Sequence, residues 1–117
     1  MLSLVVDDDR AIRSYIRVLL QREGFETVEA AGGKAAMETV KMLGGCVDLI
    51  VTDIQMPDGD GLSFANAVRK SFPSVPIILV SARARPNTVF EFVEKPFASA
   101  TFVRVIRKLV PRPAKTA

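Results

Sequence analysis

Three aspartates and a lysine follow apolar runs along this chain. Asp7 and Asp8 come after LSLVV, Asp53 after VDLIVT, and Lys95 shortly after VFEFV. If those runs are strands of one parallel sheet, their ends bring three carboxylates and one ammonium to a single edge. That edge is where open α/β sheets bind ligands. Unit charges about 4 Å apart interact by about 1 kcal/mol in water and about 4 kcal/mol at an effective dielectric of 20. Crowded carboxylates therefore suit a hard divalent cation, and a lysine beside them suits a phosphate. An aspartate in such a pocket can attack phosphorus and form an acyl phosphate. The transfer asks mainly for in-line positioning and charge neutralisation. Mg2+ prefers near-octahedral oxygen ligands at about 2.1 Å, one or two of them protein carboxylates. Asp7, Asp8 and Asp53 supply such a set, Lys95 balances phosphoryl charge, and Ser81, at the end of another apolar run, offers a hydroxyl.

Elements must carry those residues to one place. Leu2–Val6 suits a buried strand, and from Asp9 the pattern turns helical. Ile12, Tyr15, Ile16, Leu19 and Leu20 share one stripe, Asp9 can cap the first turn, and Gly24 ends the helix. Glu26–Ala30 reads as a weaker strand. Ala36, Val40 and Leu43 mark a second helix, stopped by Gly44 and Gly45. Residues 47–52 are apolar nearly throughout, as a central parallel strand covered on both faces requires. Residues 53–61 form a loop by their Pro and Gly content. Leu62, Ala65 and Val68 begin a third helix running to about Phe72, closed by Pro73. Residues 77–80 form a fourth strand ending at Ser81, and residues 89–93 a fifth. A last helix shows Phe102, Val105, Ile106 and Leu109, and Pro111 and Pro113 end it.

The alternation predicts an α/β fold with a doubly wound five-stranded parallel sheet. The fourth crossover is the exception. Residues 81–88 (SARARPNT) are too few for the usual connection of a dozen or more. Eight extended residues still reach about 26 Å, more than a typical strand of about 17–20 Å. The return is possible without a helix, and Pro86 opposes one. The fourth helix is thus expected to be absent or reduced to a loop. The expected organisation is one domain over residues 1–110 and a disordered tail over 111–117.

Composition narrows the chemistry. The 117 residues include no histidine and one cysteine, which excludes Ser-His and Cys-His catalysis, histidine-ligated metals and Cys-rich zinc sites. Any phosphohistidine must therefore belong to another molecule. Cys46 reads as a small buried filler in a reducing compartment. No segment approaches the roughly 20 apolar residues of a membrane span, and residues 1–6 lack the basic start of a secretory signal. Net charge is +3. Its one basic run, Arg104, Arg107, Lys108, Arg112 and Lys115, reads as a solvated helix face before a nucleic-acid surface. Gly33-Lys34 lacks the upstream glycine of a P-loop, and residues 61–65 lack the closing glycine of a nucleophile elbow. Gln55 stands where an aspartate-nucleophile phosphatase would want a second aspartate. Asp9, Asp58 and Asp60 read as caps or turn residues, and Met37 and Met42 as helix packing.

The segments VVDD at 5–8, VTDIQMP at 51–57 with Asp60-Gly61-Leu62, Ser81-Ala82, and Lys95-Pro96-Phe97 occur in order over essentially the whole chain. Together they resemble the response regulator receiver domain of two-component signal transduction, of the chemotaxis-regulator type. The resemblance implies a flavodoxin-like receiver fold that takes phosphate from the phosphohistidine of a histidine kinase or histidine phosphotransfer protein. By matching position it implies Asp53 as phosphoacceptor and Asp8 as a direct Mg2+ ligand. Asp7 would bind the metal largely through water, and Gln55 would lend its backbone carbonyl. Ser81 would be the switch hydroxyl, Phe92 the switch aromatic and Lys95 the phosphate-bridging cation. Gln55 and Arg83 would tune phosphoryl lifetime, and Pro96 would follow a cis peptide bond. Phe90 and Phe92 are equally open to a reading as plain packing. Family members generally carry a full fourth-crossover helix, so the usual output face should here be reduced.

The reading is a cytoplasmic phosphorylation switch acting through an unidentified output protein, with no direct nucleic-acid contact and no membrane association. It is not an enzyme beyond self-catalysed transfer to aspartate and acyl-phosphate hydrolysis. Two alternatives stay open: a receiver-like interaction module that works without phosphorylation, and the receiver part of a longer DNA-binding regulator.

Overall fold

The apolar runs pair as the sequence predicts, and the pairing decides which side chains meet. The structure, a computed structural model, describes residues 1–57, 59–83 and 85–111. Five parallel strands form one sheet: β1 (Leu2–Val6), β2 (Glu26–Ala30), β3 (Leu49–Asp53), β6 (Ile77–Ser81) and β7 (Glu91–Glu94), in the order β2-β1-β3-β6-β7. Two short strands, β4 (Gln55–Met56) and β5 (Gly59–Asp60), pair antiparallel outside it. Among the described residues there are four helices: α1 (Arg10–Arg22), α2 (Gly33–Met42), α3 (Gly61–Ser71) and α4 (Ser99–Leu109).

Alternating side chains feed two cores, as successive strand residues face opposite ways. Leu4, Val6, Ile50, Ile77 and Leu79 pack with Ala36 and Val40 of α2 and with Phe64, Ala65 and Val68 of α3. Val5, Leu49, Val51, Ile78, Val80 and Val93 pack on the other face with Ile16, Leu19 and Leu20 of α1 and with Phe102 and Ile106 of α4. Burial on both faces explains why β1, β3 and β6 read as nearly unbroken apolar runs. Asp9 caps α1, its side chain accepting from the N–H groups of Ala11 and Ile12. Gly24 lies just past the end of α1 at φ 94°, a backbone conformation that favours glycine.

The fourth crossover carries no helix among its described residues. Side-chain hydrogen bonds hold it instead. Arg85 Nη2 donates to the carbonyl of Phe90 at 3.0 Å and to that of Thr88 at 3.4 Å, and the Phe90 N–H donates to Thr88 Oγ1. Phe90, 2% exposed, joins the α2/α3 core. The Arg69 guanidinium lies 4.8 Å from the centre of its ring, a cation–π distance.

Several expectations need correction. The expected loop over residues 53–61 contains the β4–β5 pairing. The fifth strand starts at Glu91 rather than residue 89, because pairing with β6 begins at Ile78↔Glu91 and Phe90 turns inward. Cys46 is exposed, not a buried filler, because it sits in the turn between α2 and β3. Met42 is 87% exposed, since it lies off the stripe of α2 that buries Ala36 and Val40. Asp60 caps α3 as expected, accepting from the Leu62 N–H. Asp58 and residues 112–117, with Arg112, Lys115 and most of the expected tail, lie outside the described residues.

Candidate functional site

Strand order changes direction about β1: β2 lies on one side of it and β3 on the other. Crevices at such a switch point, beyond the strand carboxyl ends, are where ligands bind in doubly wound folds. Asp53 is the last residue of β3, and Asp7 directly follows β1. One carboxylate oxygen from each of Asp7, Asp8 and Asp53 can be chosen so that all three lie within 4.8 Å of one another. Asp7 is 1% exposed and Asp53 8%, whereas Asp8 faces solvent. Lys95 reaches this group from the turn after β7. Its Nζ lies 2.9 Å from Asp7 Oδ2 and 3.6 Å from Asp53 Oδ1. The Lys95–Pro96 peptide bond is cis.

Local hydrogen bonds fix the acidic turn. Asp7 Oδ1 accepts from the Asp9 N–H at 2.9 Å, and the Asp7 N–H donates to the Ala30 carbonyl. Burial pushes the Asp53 carboxyl above the usual carboxylate range. Lys95 opposes that rise, the Asp7 carboxylate adds to it, and backbone hydrogen bonds from Gln55 and Ile54 counter it. The net direction is upward, so one ammonium does not offset the burial and crowding of these acids. Three carboxylates against one lysine leave a deficit of two positive charges, which a divalent cation would supply. The donors are all oxygen, the set that hard ions prefer. The residues present fit Mg2+.

Of the other sequence-selected residues, Ser81 stands at the same sheet edge. Ser81 ends β6, one position beyond the residue that pairs with Asp53, and is buried. Its Oγ accepts the Arg83 N–H at 3.1 Å. Gln55 and Arg83 are exposed. Phe92 is half-buried on β7 and packs against the α2/α3 core. On α4, Arg107 is paired with Glu23 and Lys108 with Glu91, so two of the three helical cations in the basic run are engaged within the domain.

Two contributors escaped the sequence reading. In the sequence Gly61 stands out only as part of the Asp60-Gly61-Leu62 segment. A Cβ at this position would collide with the Asp53 carbonyl oxygen, while the Gly61 N–H donates to Ile54 at 2.7 Å. Arg13 carried no signal at all, yet its Nη1 donates to the Asp7 carbonyl at 2.8 Å and its Nε to Glu29 Oε1 at 2.9 Å.

A buried aspartate flanked by two carboxylates and answered by a lysine suits reversible phosphorylation, which places the domain among α/β phosphoacceptor switches. Residues 3–107 match the response regulator receiver domain. The chain belongs to that family, the phosphorylation-accepting domains of two-component systems. It is 33% identical over 117 residues to the sensor kinase CckA of Brucella abortus (strain 2308), covering 93% of this chain and 12% of that protein. It spans less than half the length of curated relatives of this kind. The solved receiver domain of the hybrid histidine kinase CckA superposes with a TM-score of 0.83 at 28% identity, covering 94% of this chain and 99% of that one. The response regulator TrrA from Thermotoga maritima, solved in complex with Mg2+ and BeF, gives a TM-score of 0.82 at 33% identity, covering 93% and 98%. Among the described residues no helix is long and apolar enough to cross a membrane.

Proposed function

We propose that Asp53 accepts a phosphoryl group from the phosphohistidine of a histidine kinase or histidine phosphotransfer protein. The observation that carries this reading is the position of Lys95 Nζ, 2.9 Å from Asp7 and 3.6 Å from Asp53 within a cluster of three carboxylates. In the transfer, an Asp53 carboxylate oxygen forms the new O–P bond while the N–P bond of the phosphohistidine breaks. The imidazole leaves with the electron pair and carries one proton. Asp7, Asp8, Asp53 and the Gln55 carbonyl would hold Mg2+, which when bound offsets charge on the phosphoryl oxygens.

Lys95 would swing its pairing from Asp7 toward the new phosphoryl oxygens. The Ser81 hydroxyl, now accepting the Arg83 N–H, would turn to donate to one of them. That turn, with Phe92 on the neighbouring strand, would shift the region from Ser81 to Phe92 and change its affinity for an output protein. Gln55 and Arg83, exposed beside the pocket, would govern how readily water reaches the acyl phosphate, whose hydrolysis resets the switch. This is a cytoplasmic protein-binding role, without nucleic-acid or membrane contact. The ion pairs that engage Arg107 and Lys108 support it. The working unit would be residues 1–110, with 111–117 as a tail.

Incubation with a small acyl-phosphate donor and Mg2+ tests this. The expected result is one added phosphoryl mass that Asp53→Asn abolishes. No addition, or addition surviving that substitution, overturns it. The short fourth crossover, without a helix among its described residues, favours a second reading, a receiver-like interaction module independent of phosphorylation, for which calorimetry would find no Mg2+ binding. The greater length of the relatives favours a third, the receiver part of a longer DNA-binding regulator, which the full reading frame decides.

A further inference from the structure

Arg13 touches the acidic turn at two levels. Its backbone N–H donates to the Asp9 carbonyl at 3.0 Å, and its side-chain Nη1 donates to the Asp7 carbonyl at 2.8 Å. Asp8 lies between those two carbonyls. The Asp7 carbonyl stands where the chain leaves β1 for α1, and the guanidinium supplies it with a hydrogen bond there. The same guanidinium is held in place from β2, where Glu29 Oε1 accepts from Nε at 2.9 Å. The Arg13 side chain is 16% exposed. Its planar fork lets one side chain bridge a carbonyl and a carboxylate in fixed geometry, which an ammonium does not reproduce.

We propose that Arg13, oriented by Glu29, is a positioning residue for the metal-binding acids. By bridging the Asp7 carbonyl to the Glu29 carboxylate, its guanidinium holds the Asp7–Asp8 turn in the conformation that converges on Asp53. The inference rests on the reading that these acids hold Mg2+, since it says how they are kept in place. It goes against simple electrostatics. A guanidinium beside three carboxylates should repel a divalent cation, so deleting it should tighten binding if charge were its only effect. Groups that orient metal ligands from behind usually matter by about 10- to 100-fold in affinity.

Two variants separate these effects. Arg13→Met removes both charge and clamp. Arg13→Lys keeps the charge and loses the double bridge. Mg2+ affinity would be measured by calorimetry on the full chain, with urea unfolding in parallel to confirm folding. The clamp predicts binding weaker by about tenfold in Arg13→Met and by several-fold in Arg13→Lys. Unchanged affinity in Arg13→Lys, or tighter binding in a folded Arg13→Met, overturns the inference and leaves the metal site standing. If Arg13→Met does not fold, Arg13→Lys decides alone. Absence of Mg2+ binding by the unaltered protein removes both the site and its clamp.

Discussion

Lys95 Nζ donates to Asp7 Oδ2 at 2.9 Å, and the carboxylate that receives it is 1% exposed. The lysine therefore serves the acid that would not be phosphorylated before it serves the one that would. Its contact with Asp53 is longer, at 3.6 Å. In the resting domain Lys95 neutralises a buried charge, and a phosphoryl group on Asp53 would compete for it more strongly than the Asp53 carboxylate does.

Lys95→Met should consequently destabilise the domain as well as impair phosphorylation. It strands the Asp7 carboxylate without its cation. A buried charge left unpaired in this way costs about 1–3 kcal/mol or more. The partial exposure of Lys95, 17% at its side chain, places the loss below that of a fully buried pair. Urea unfolding without divalent ions measures the loss. Added Mg2+ should recover part of it, by binding the folded state alone. A variant as stable as the parent in metal-free buffer would show that the 2.9 Å pair has no energetic role.

Asp53→Asn should act in the opposite direction on stability. Burial raises the Asp53 carboxyl above its ordinary value, so the folded state holds that proton to higher pH than the unfolded state does. The stability this group contributes is fully present below the unfolded carboxyl value and is lost as pH rises through the folded one. At neutral pH without metal the ionised Asp53 is thus a burden. Asn should raise the melting temperature there, and the difference should shrink as pH falls toward about 4. With Mg2+ present the order should narrow or reverse, because the variant lacks one ligand. A metal-free variant that melts below the parent at neutral pH would contradict this.

The sheet and most of the site were legible because both follow from short-range patterns. Short apolar runs bounded by turn residues and alternating with helical stripes read as strands buried on both faces, and in a parallel sheet the polar residues at their carboxyl ends share one edge. Hence Asp7, Asp8, Asp53 and Lys95 converge, and the described residues of the short fourth crossover form no helix; the cis Lys95–Pro96 bond was implied by the family resemblance instead. What was missed depends on tertiary register. Whether residue 89 or 91 opens β7 is set by pairing with β6, and whether Cys46 is buried is set by the path of the α2–β3 turn. Arg13 bonds a backbone carbonyl, and backbone acceptors have no sequence identity to read. Nor does the sequence say how close α3 comes to Asp53.

That closeness makes Gly61→Ala a sensitive probe. Gly61 has no positive φ, so alanine meets no backbone penalty of its own. The obstacle is the Asp53 carbonyl oxygen, with the Asp53 carbonyl carbon 2.8 Å and Ile54 Cα 2.9 Å from the added carbon. All three are main-chain atoms, so relief requires α3 and the end of β3 to separate. The cost should be about 1–3 kcal/mol, with a fall in Asp53 phosphorylation greater than the lost folded fraction explains. Mass spectrometry on the folded variant reads the second effect. Full phosphorylation at unchanged stability would mean the two segments part freely.

The fourth crossover, whose described residues form no helix, offers a test of what covers the sheet there. Phe90 and Val89 are neighbours with opposite fates: Phe90 is 2% exposed within the α2/α3 core, and Val89 is 81% exposed. If Phe90 supplies apolar cover that a crossover helix would otherwise give, its removal opens a cavity against Val68, Leu79 and the rest of that cluster. Phe90→Ala should then cost about 3–5 kcal/mol, while Val89→Ala should stay within about 0.5 kcal/mol. The Arg69 guanidinium, 4.8 Å from the ring centre, would lose its aromatic partner, a smaller loss of about 0.5–1 kcal/mol at an exposed site. Arg69→Ala should show that smaller loss alone. Urea unfolding of the three variants ranks them. Equal stability of Phe90→Ala and Val89→Ala would mean that the segment lies on the sheet without closing it, because a side chain that fills a core cannot be removed at no cost.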